Sequence, residues 1–262
     1  MQLEGKNVLI TGGTRGIGKC MIQELVKGGV SKIAVIVRDQ QNLKQLSQEF
    51  EGVKFLKIVG DVANIEVLRK AAARIEDKWG HLDILINNAG IVSAGPLEEI
   101  QDEDVYGQVA INLTAVLLLT KYCIPLLKSS KEAAVLNISS GLGLIGMPFY
   151  SVYGSTKAAV RQFSDSMRRE LAPFNISVTC SFPTATDTDM MHKFKGREMD
   201  SPEFVAERSL KSLLNKESQV IFGGKERLNE NRLNFEAPEE FDKKVAQNYE
   251  ERKKASLDHK AV

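Results

Sequence analysis

Cysteine and histidine are scarce in this chain, three of each among 262 residues, and their scarcity closes off two kinds of chemistry. Cys20, Cys123 and Cys180 lie far apart, without Cys-x-x-Cys spacing or a nearby histidine pair, so neither a zinc site nor a disulfide framework is expected. No two of His81, His192 and His259 have metal-ligand spacing, and no metal is expected. A reduced, cytoplasmic setting fits that composition. Charge of one sign is lacking too: 35 Lys and Arg stand against 34 Asp and Glu, a net charge of +1. Such a balance gives no reason to expect nucleic acid or an acidic membrane surface as a partner.

Long uninterrupted apolar runs are missing as well. The opening "MQLEGKNVLITGG" leads almost directly into a strand, without the basic start and apolar core of a secretory signal. Of two uncharged stretches, 105–120 is too short to span a bilayer and contains Asn112, while 133–156 carries "SSGLGLIGMP", whose Gly, Ser and Pro would break a spanning helix. Both read as buried parts of a soluble protein, and no membrane partner is expected. Neither an internal repeat nor a Pro/Ser-rich linker interrupts the chain before about Gly224.

Apolar content of 43% and charged content of 26% suit a well-formed core. Seven short runs, "NVLIT", "KIAVIV", "VKFLKIVG", "LDILINN", "AAVLNIS", "ISVTCSF" and "SQVIFG", are rich in Val and Ile, as parallel strands buried on both faces require. Helical patterns alternate with them. Ile65, Leu68, Ala72, Ile75 and Trp79 recur at three- and four-residue steps on one stripe, and Ser201-Pro202 marks a helix start. The alternation predicts a doubly wound α/β fold, a seven-stranded parallel sheet with helices on both faces, over residues 1–224. Residues 225–262 form a charged C-terminal extension, expected to be a solvated helix or frayed tail. Its Leu228, Leu233, Phe235 and Phe241 leave room for packing on a neighbouring subunit.

"TGGTRGIGKC", Thr11 to Cys20, joins the first strand to a helix and fits two phosphate cradles. From Gly13 it is one residue short of a triphosphate loop; from Gly12 it reads Gly-x-x-x-Gly-x-Gly, which suits a dinucleotide pyrophosphate. A triphosphate loop needs a Ser or Thr hydroxyl on Mg²⁺ where this chain has Cys20, a poor ligand for a hard cation. The dinucleotide register therefore wins. The second strand ends "AVIVRDQ", with Val37 where an acidic residue commonly holds the ribose hydroxyls and Arg38 next. Arg38 and Arg15 are expected to meet a 2′-phosphate, favouring NADP(H) over NAD(H); Asp39 could instead turn toward the ribose while Arg38 stays in solvent.

Further on, "YSVYGSTKAAVRQF" places Tyr153 and Lys157 one helical turn apart on one face. A phenol titrates near 10, so it needs a cation such as Lys157 to act at neutral pH. Ser140, at the strand end "LNISSG", could donate a hydrogen bond to a carbonyl oxygen. Taken separately, each of these residues also has a structural reading, as packing, solvated charge or cap.

Together, "TGGTRGIG", "GDV" at Gly60 to Val62, "NNAG" at Asn87 to Gly90, Asn112, "NISS" and "YGSTK" resemble the compact, single-domain branch of the short-chain dehydrogenase/reductase family, over about Lys6 to Gly224. The resemblance implies a Rossmann fold and hydride transfer between a nicotinamide and a carbonyl or secondary alcohol. By that likeness Tyr153 is the general acid, Lys157 contacts the nicotinamide ribose and lowers the tyrosine pKa, Ser140 is the catalytic serine in preference to Ser139, and Asn112 relays protons to Lys157 through a water. Gly12, Thr14, Gly16, Ile17 and Gly18 would meet the pyrophosphate, Asp61 and Val62 the adenine, and Asn87, Ala89 and Gly90 would support the central sheet and lie along the cofactor. Thr186 and Thr188 would meet the carboxamide, although Thr184 stands where the family commonly has glycine. Leu142, Leu144, Met147, Phe149, Met190, Met191 and Phe194 are expected to make an apolar substrate site, with 187–200 as a lid. A homodimer or homotetramer, through the helices holding Asn112 and Tyr153, is implied. Two alternatives differ in class: a non-catalytic NADP-binding regulatory or scaffold protein, and a nucleotide-sugar epimerase or dehydratase, which usually has another glycine spacing and a larger C-terminal domain.

Overall fold

The computed structural model describes residues 1–191, 199–257 and 259–261. Its main sheet takes all seven expected strands: β1 (Asn7–Thr11), β2 (Lys32–Val37), β3 (Lys54–Val59), β4 (Ile84–Asn87), β6 (Ala133–Ile138), β7 (Ile176–Phe182) and β8 (Gln219–Ile221). A two-residue strand, β5 (Val92–Ser93), lies outside it. The strands pair in parallel in the order β3-β2-β1-β4-β6-β7-β8. Strand order reverses between β1 and β4, and the crevice beyond their carboxyl ends is where such sheets bind ligands.

Helices α1 (Gly16–Lys27), α2 (Gln40–Glu49) and α3 (Ile65–Trp79) connect the first four strands. Leu68, Ala72 and Ile75 of the expected stripe are buried, whereas Ile65 at its start is exposed. Beyond β5, α4 (Asp102–Val109) runs through a π-helical turn at Ala110–Thr114 into α5 (Ala115–Lys128). Helix α6 (Ser151–Leu171) follows β6, and α7 (Pro202–Leu214) follows β7, with Ser201 Oγ accepting from Phe204 N at 3.1 Å as its cap. Two apolar layers result, one joining α3 and α5 to the sheet and the other joining α1 and α7 to its opposite face.

Three expectations change. Strand β3 is not buried on both faces: Leu56 and Ile58 point inward while Val59 is 49% exposed, because β3 is an edge strand. The apolar stretch around Asn112 is not short, since α4, the π turn and α5 merge into one run, Asp102–Lys128, long and apolar enough to cross a membrane. One face of it packs on the sheet instead, burying Leu119, Cys123, Leu126 and Leu127. The extension is helical, one of the two forms expected, but it does not stay in solvent throughout. Helices α8 (Gly224–Glu236), α9 (Pro238–Ala246) and α10 (Tyr249–Leu257) carry it back across the molecule, and β9 (Lys260–Ala261) pairs antiparallel with β5. Phe241 and His259 are buried, and Lys260 Nζ reaches Asp104 at 2.6 Å. Leu228 and Phe235 stay exposed.

Candidate active site

One cavity of about 1080 Å³ opens at the carboxyl ends of the strands. At one end lies the glycine loop. Gly12 has φ +67°, and a Cβ on Gly18 would come 2.1 Å from Gly12 O, so loop and helix meet more closely than any side chain permits. Asn88 fixes this closeness, with Nδ2 donating to Thr11 O at 3.1 Å and to Gly12 O at 3.0 Å. Thr11 Oγ1 in turn accepts from the N–H groups of Asn88 and Ala89, each at 3.0 Å. A cradle of this shape, set at the amino end of α1, suits a pyrophosphate. Gly12, Thr14, Arg15, Gly16, Ile17 and Gly18 all line the cavity, as do Arg38, Asp61, Val62, Ala89, Gly90, Thr186 and Thr188.

Asn87 is the exception. Its side chain lies inside the sheet, where Nδ2 donates to Asn137 Oδ1 at 2.8 Å and Thr120 Oγ1 at 3.1 Å. Side chains alternate along a strand, so Asn87 joins β4 to its neighbours while Asn88 faces the cavity. Asn87 thus supports the central sheet, and Asn88, a residue that the motif "NNAG" contains but whose side its letters cannot tell, lines the cavity.

Arg38 is exposed at the end of β2 and makes no ion pair among the described residues. Asp39, its rival, has Oδ1 accepting from Gln41 N at 2.7 Å as the cap of α2. Arg15 meets Asp189 at 3.6 Å, with both side chains more than 60% exposed. Contacts that loose and wet contribute little.

At the middle of the cavity stand Ser140, Tyr153 and Lys157. Ser140 caps a short 3₁₀ turn, its Oγ accepting from Leu142 N at 3.2 Å, and lines the same cavity as Tyr153. Ser139 acts elsewhere. It is buried and donates to Lys157 O at 2.8 Å, clasping α6 to the end of β6. Lys157 Nζ donates to Ile138 O at 3.0 Å and lies 5.6 Å from the centre of the Tyr153 ring. Enclosure by protein pushes the Tyr153 phenol up to about 12, against a lowering contribution from Ser140, and draws Lys157 down to about 8. The expected net lowering of the phenol does not appear, because burial outweighs it. At neutral pH Tyr153 carries its proton.

Asn112 sits in the π-helical turn, a feature often found at functional sites. Its side chain completes the β4–β5 connection as a strand would: Oδ1 accepts from Ile91 N at 2.8 Å, and Nδ2 donates to Ile91 O at 2.9 Å and to Thr156 Oγ1 at 3.3 Å. A side chain on Gly90 would come within 3.3 Å of Asn112 Oδ1 and 3.4 Å of Lys157 Nζ, so these three positions are adjacent.

Beyond Tyr153 the walls are Leu142, Met147, Met190 and Met191, as expected. Leu144 instead packs into a small core with Val160 and Phe182, and Phe149 is buried. Phe149 adopts φ +72°, unusual for a bulky residue, with its ring 5.1 Å from that of Tyr249 on α10. Phe194, His192 and the middle half of the expected lid, 192–198, lie outside the described residues. Its base is held by backbone bonds between Asp200 and Ala185 or Asp187, and by Thr184 Oγ1 donating to Asp200 Oδ2. The threonine at the glycine position thus supplies a bond that glycine could not.

The family model for short chain dehydrogenases matches residues 6–198. The chain belongs to the short-chain dehydrogenase family. A short chain dehydrogenase of Pseudocercospora fijiensis is 35% identical over 174 residues, which are 65% of this chain and 56% of that protein; the chain thus spans little more than half of this relative's length. A 3-oxoacyl-[acyl-carrier-protein] reductase of Thermotoga maritima is 32% identical over 202 residues, 76% of this chain and 82% of that protein. Among solved structures, a short chain dehydrogenase from Burkholderia cenocepacia in complex with NADP superposes with a TM-score of 0.82 at 25% identity, covering 94% of this chain and 99% of that one. A 3-ketoacyl-(acyl-carrier-protein) reductase of Brucella melitensis, complexed with NADH, gives 0.75 at 28% identity, covering 84% and 95%. The family's nicotinamide-binding fold is therefore this chain's fold, and the family match ends before α7 and the extension.

Proposed function

We propose that this protein is an NADP(H)-dependent oxidoreductase that moves a hydride between the nicotinamide and a carbonyl or secondary alcohol of a largely apolar substrate. The observation that carries the reading is that Ser140, Tyr153 and Lys157 line one cavity that begins at the glycine loop, with Lys157 Nζ 5.6 Å from the centre of the Tyr153 ring. The glycine loop, Asp61, Val62, Asn88, Ala89, Gly90, Thr186 and Thr188 hold the cofactor, which supplies or takes up the hydride when bound. In reduction, Ser140 donates to the carbonyl oxygen and Tyr153 releases its proton as charge develops there; an alkoxide is more basic than a phenolate, so a tyrosine titrating near 12 is still an adequate acid. Lys157, cationic below about pH 8, stabilises the phenolate left behind. Asn112 relays the replacement proton through water.

NADP(H) is preferred because Arg38 has no carboxylate partner among the described residues and Arg15 is only loosely paired, while Asp39, the one acid placed to hold a 2′-hydroxyl, is engaged in capping α2. A cytoplasmic homo-oligomer completes the reading. Tyr106, Val109 and Leu117, spaced along one face of the α4–α5 run, are exposed and offer an apolar surface to a second copy. Nothing in the cavity favours the non-catalytic alternative. Fluorescence titration with NADPH and NADH tests the cofactor, and a panel of ketones and aldehydes assayed with each tests the reaction. Equal affinity for the two nucleotides would remove the preference, and absence of turnover across the panel would return the non-catalytic reading.

A further inference from the structure

We infer that the C-terminal extension builds an anion-binding subsite into the substrate end of the cavity, so that the apolar substrate bears an anionic oxygen group, carboxylate or phosphate, held by Arg227 and Arg252. The inference deepens the proposed function and rests on its reading of the cavity as the substrate site.

Arg227, Arg252, His259 and Lys260 all line the cavity, and all lie in the extension. Arg227 stands in the first turn of α8 with its Nε 3.8 Å from where a Cβ on Gly141 would be, next to Ser140. Its partner Glu230, at 3.1 Å, is shared with Lys244 at 3.4 Å, so one carboxylate faces two cations. Arg252, on α10, has a fully buried Nε without a hydrogen-bond partner among the described residues. With its Nε enclosed in the wall, Arg252 presents the rest of its guanidinium to the cavity, with no ion pair among the described residues, and an unmatched buried cation is costly unless an anion comes to it. Arginine's planar fork suits carboxylate and phosphate in particular.

The other charges distribute in the same sense. Among the described residues, the acidic groups lining the cavity are Asp39 and Asp61, which follow β2 and β3, and Asp189, which faces Arg15; all belong to the glycine-loop end. Lys260 is neutralised by Asp104. His259 is held neutral: burial draws its pKa down to about 4, and its Nδ1 lies 2.9 Å from Tyr150 Oη. The two arginines therefore set the sign of this end, and the apolar walls at Leu142, Met147 and Met190 describe the body that an anionic head would carry.

Binding to the full chain saturated with NADP⁺, which fills the other basic end, tests the inference by calorimetry with octanoate, octyl phosphate and octanamide. At least one anion should bind about tenfold or more tightly than the amide, the usual scale of a charge-assisted hydrogen bond. Arg252→Leu and Arg227→Leu should each erase most of that margin, and Arg252→Lys should restore part of it, with melting temperatures confirming folded variants. The relative affinities of the two anions distinguish carboxylate from phosphate. Octanamide binding as tightly as both anions, or an anion preference untouched by both leucine substitutions, overturns the subsite. Turnover tested separately with Tyr153→Phe reports on the catalytic reading, so either conclusion can fail without the other.

Discussion

At the glycine-loop end, the cavity is lined by motifs that follow individual strands, Thr14 to Gly18 after β1, Arg38 after β2, Asp61 and Val62 after β3, Asn88 to Gly90 after β4; at the far end, Tyr150 meets His259, 109 residues later in the chain. The first end is assembled by the order of the sheet. The second needs the extension to return, with β9 seated on β5 and Tyr249 against Phe149. The glycine-loop end thus belongs to the part of the chain that the family model matches over residues 6–198, while the far end draws on residues outside that match.

The largest effect should come where the two ends meet. Tyr153→Phe removes the proton donor and should lower kcat by about 10²–10⁴-fold, the usual contribution of general acid catalysis, while NADPH titrates unchanged. A loss of NADPH affinity instead would mean that Tyr153 belongs to the cofactor end alone.

Next is the charge at the end of β2. Arg38→Ala should weaken NADPH about 10- to 100-fold, the value of one charged hydrogen bond, and leave NADH unaffected. An equal loss for both nucleotides would show that Arg38 does not read the 2′-phosphate.

The extension should respond to acid while the glycine-loop end does not. His259 is buried and neutral, with its pKa lowered from 6.5 to about 4. Released from its site it takes up a proton at its ordinary pKa, so docking is at full strength above about pH 6.5 and weakens as pH falls toward 4, by about 1.4 kcal/mol per pH unit. Hydrogen exchange at Lys260 and Ala261 should accelerate between pH 7 and 5 beyond the intrinsic pH effect, and exchange in β1 should not. Protection that survives at pH 5 would show that His259 is not what holds the tail.

The smallest change belongs to Asp39→Ala, which removes the cap of α2 and should cost about 1 kcal/mol of stability by denaturant unfolding. Preference for NADPH should not decrease; a shift toward NADPH accompanied by weaker NADH would reveal that Asp39 turns to the ribose after all.

The seven strands were legible because a parallel strand needs an apolar run and its neighbours are set by right-handed crossovers. Most of the residues that line the cavity were legible for a related reason: Gly12, Gly16, Gly18, Asp61, Ser140 and the Tyr153–Lys157 pair sit at strand ends or on one helical turn, where local spacing already dictates what faces the crevice. Asn87 and Asn88 were not separable, since two adjacent asparagines differ only in which side of β4 they take. Ser139 and Ser140 are adjacent in the same way, and there only their hydrogen bonds, Ser139 to Lys157 O and Leu142 N to Ser140, tell them apart.

By itself, then, the sequence determined the sheet, the phosphate cradle and the spacing of the reacting groups, because each is written within one strand, one loop or one helical turn. Tertiary structure alone decided that Asn88 and not Asn87 faces the cavity, that burial raises the phenol of Tyr153, and that a charged tail becomes a wall of the cavity. Those outcomes depend on what comes to lie beside a group, and burial and partner geometry exist only once the distant parts of the chain have met.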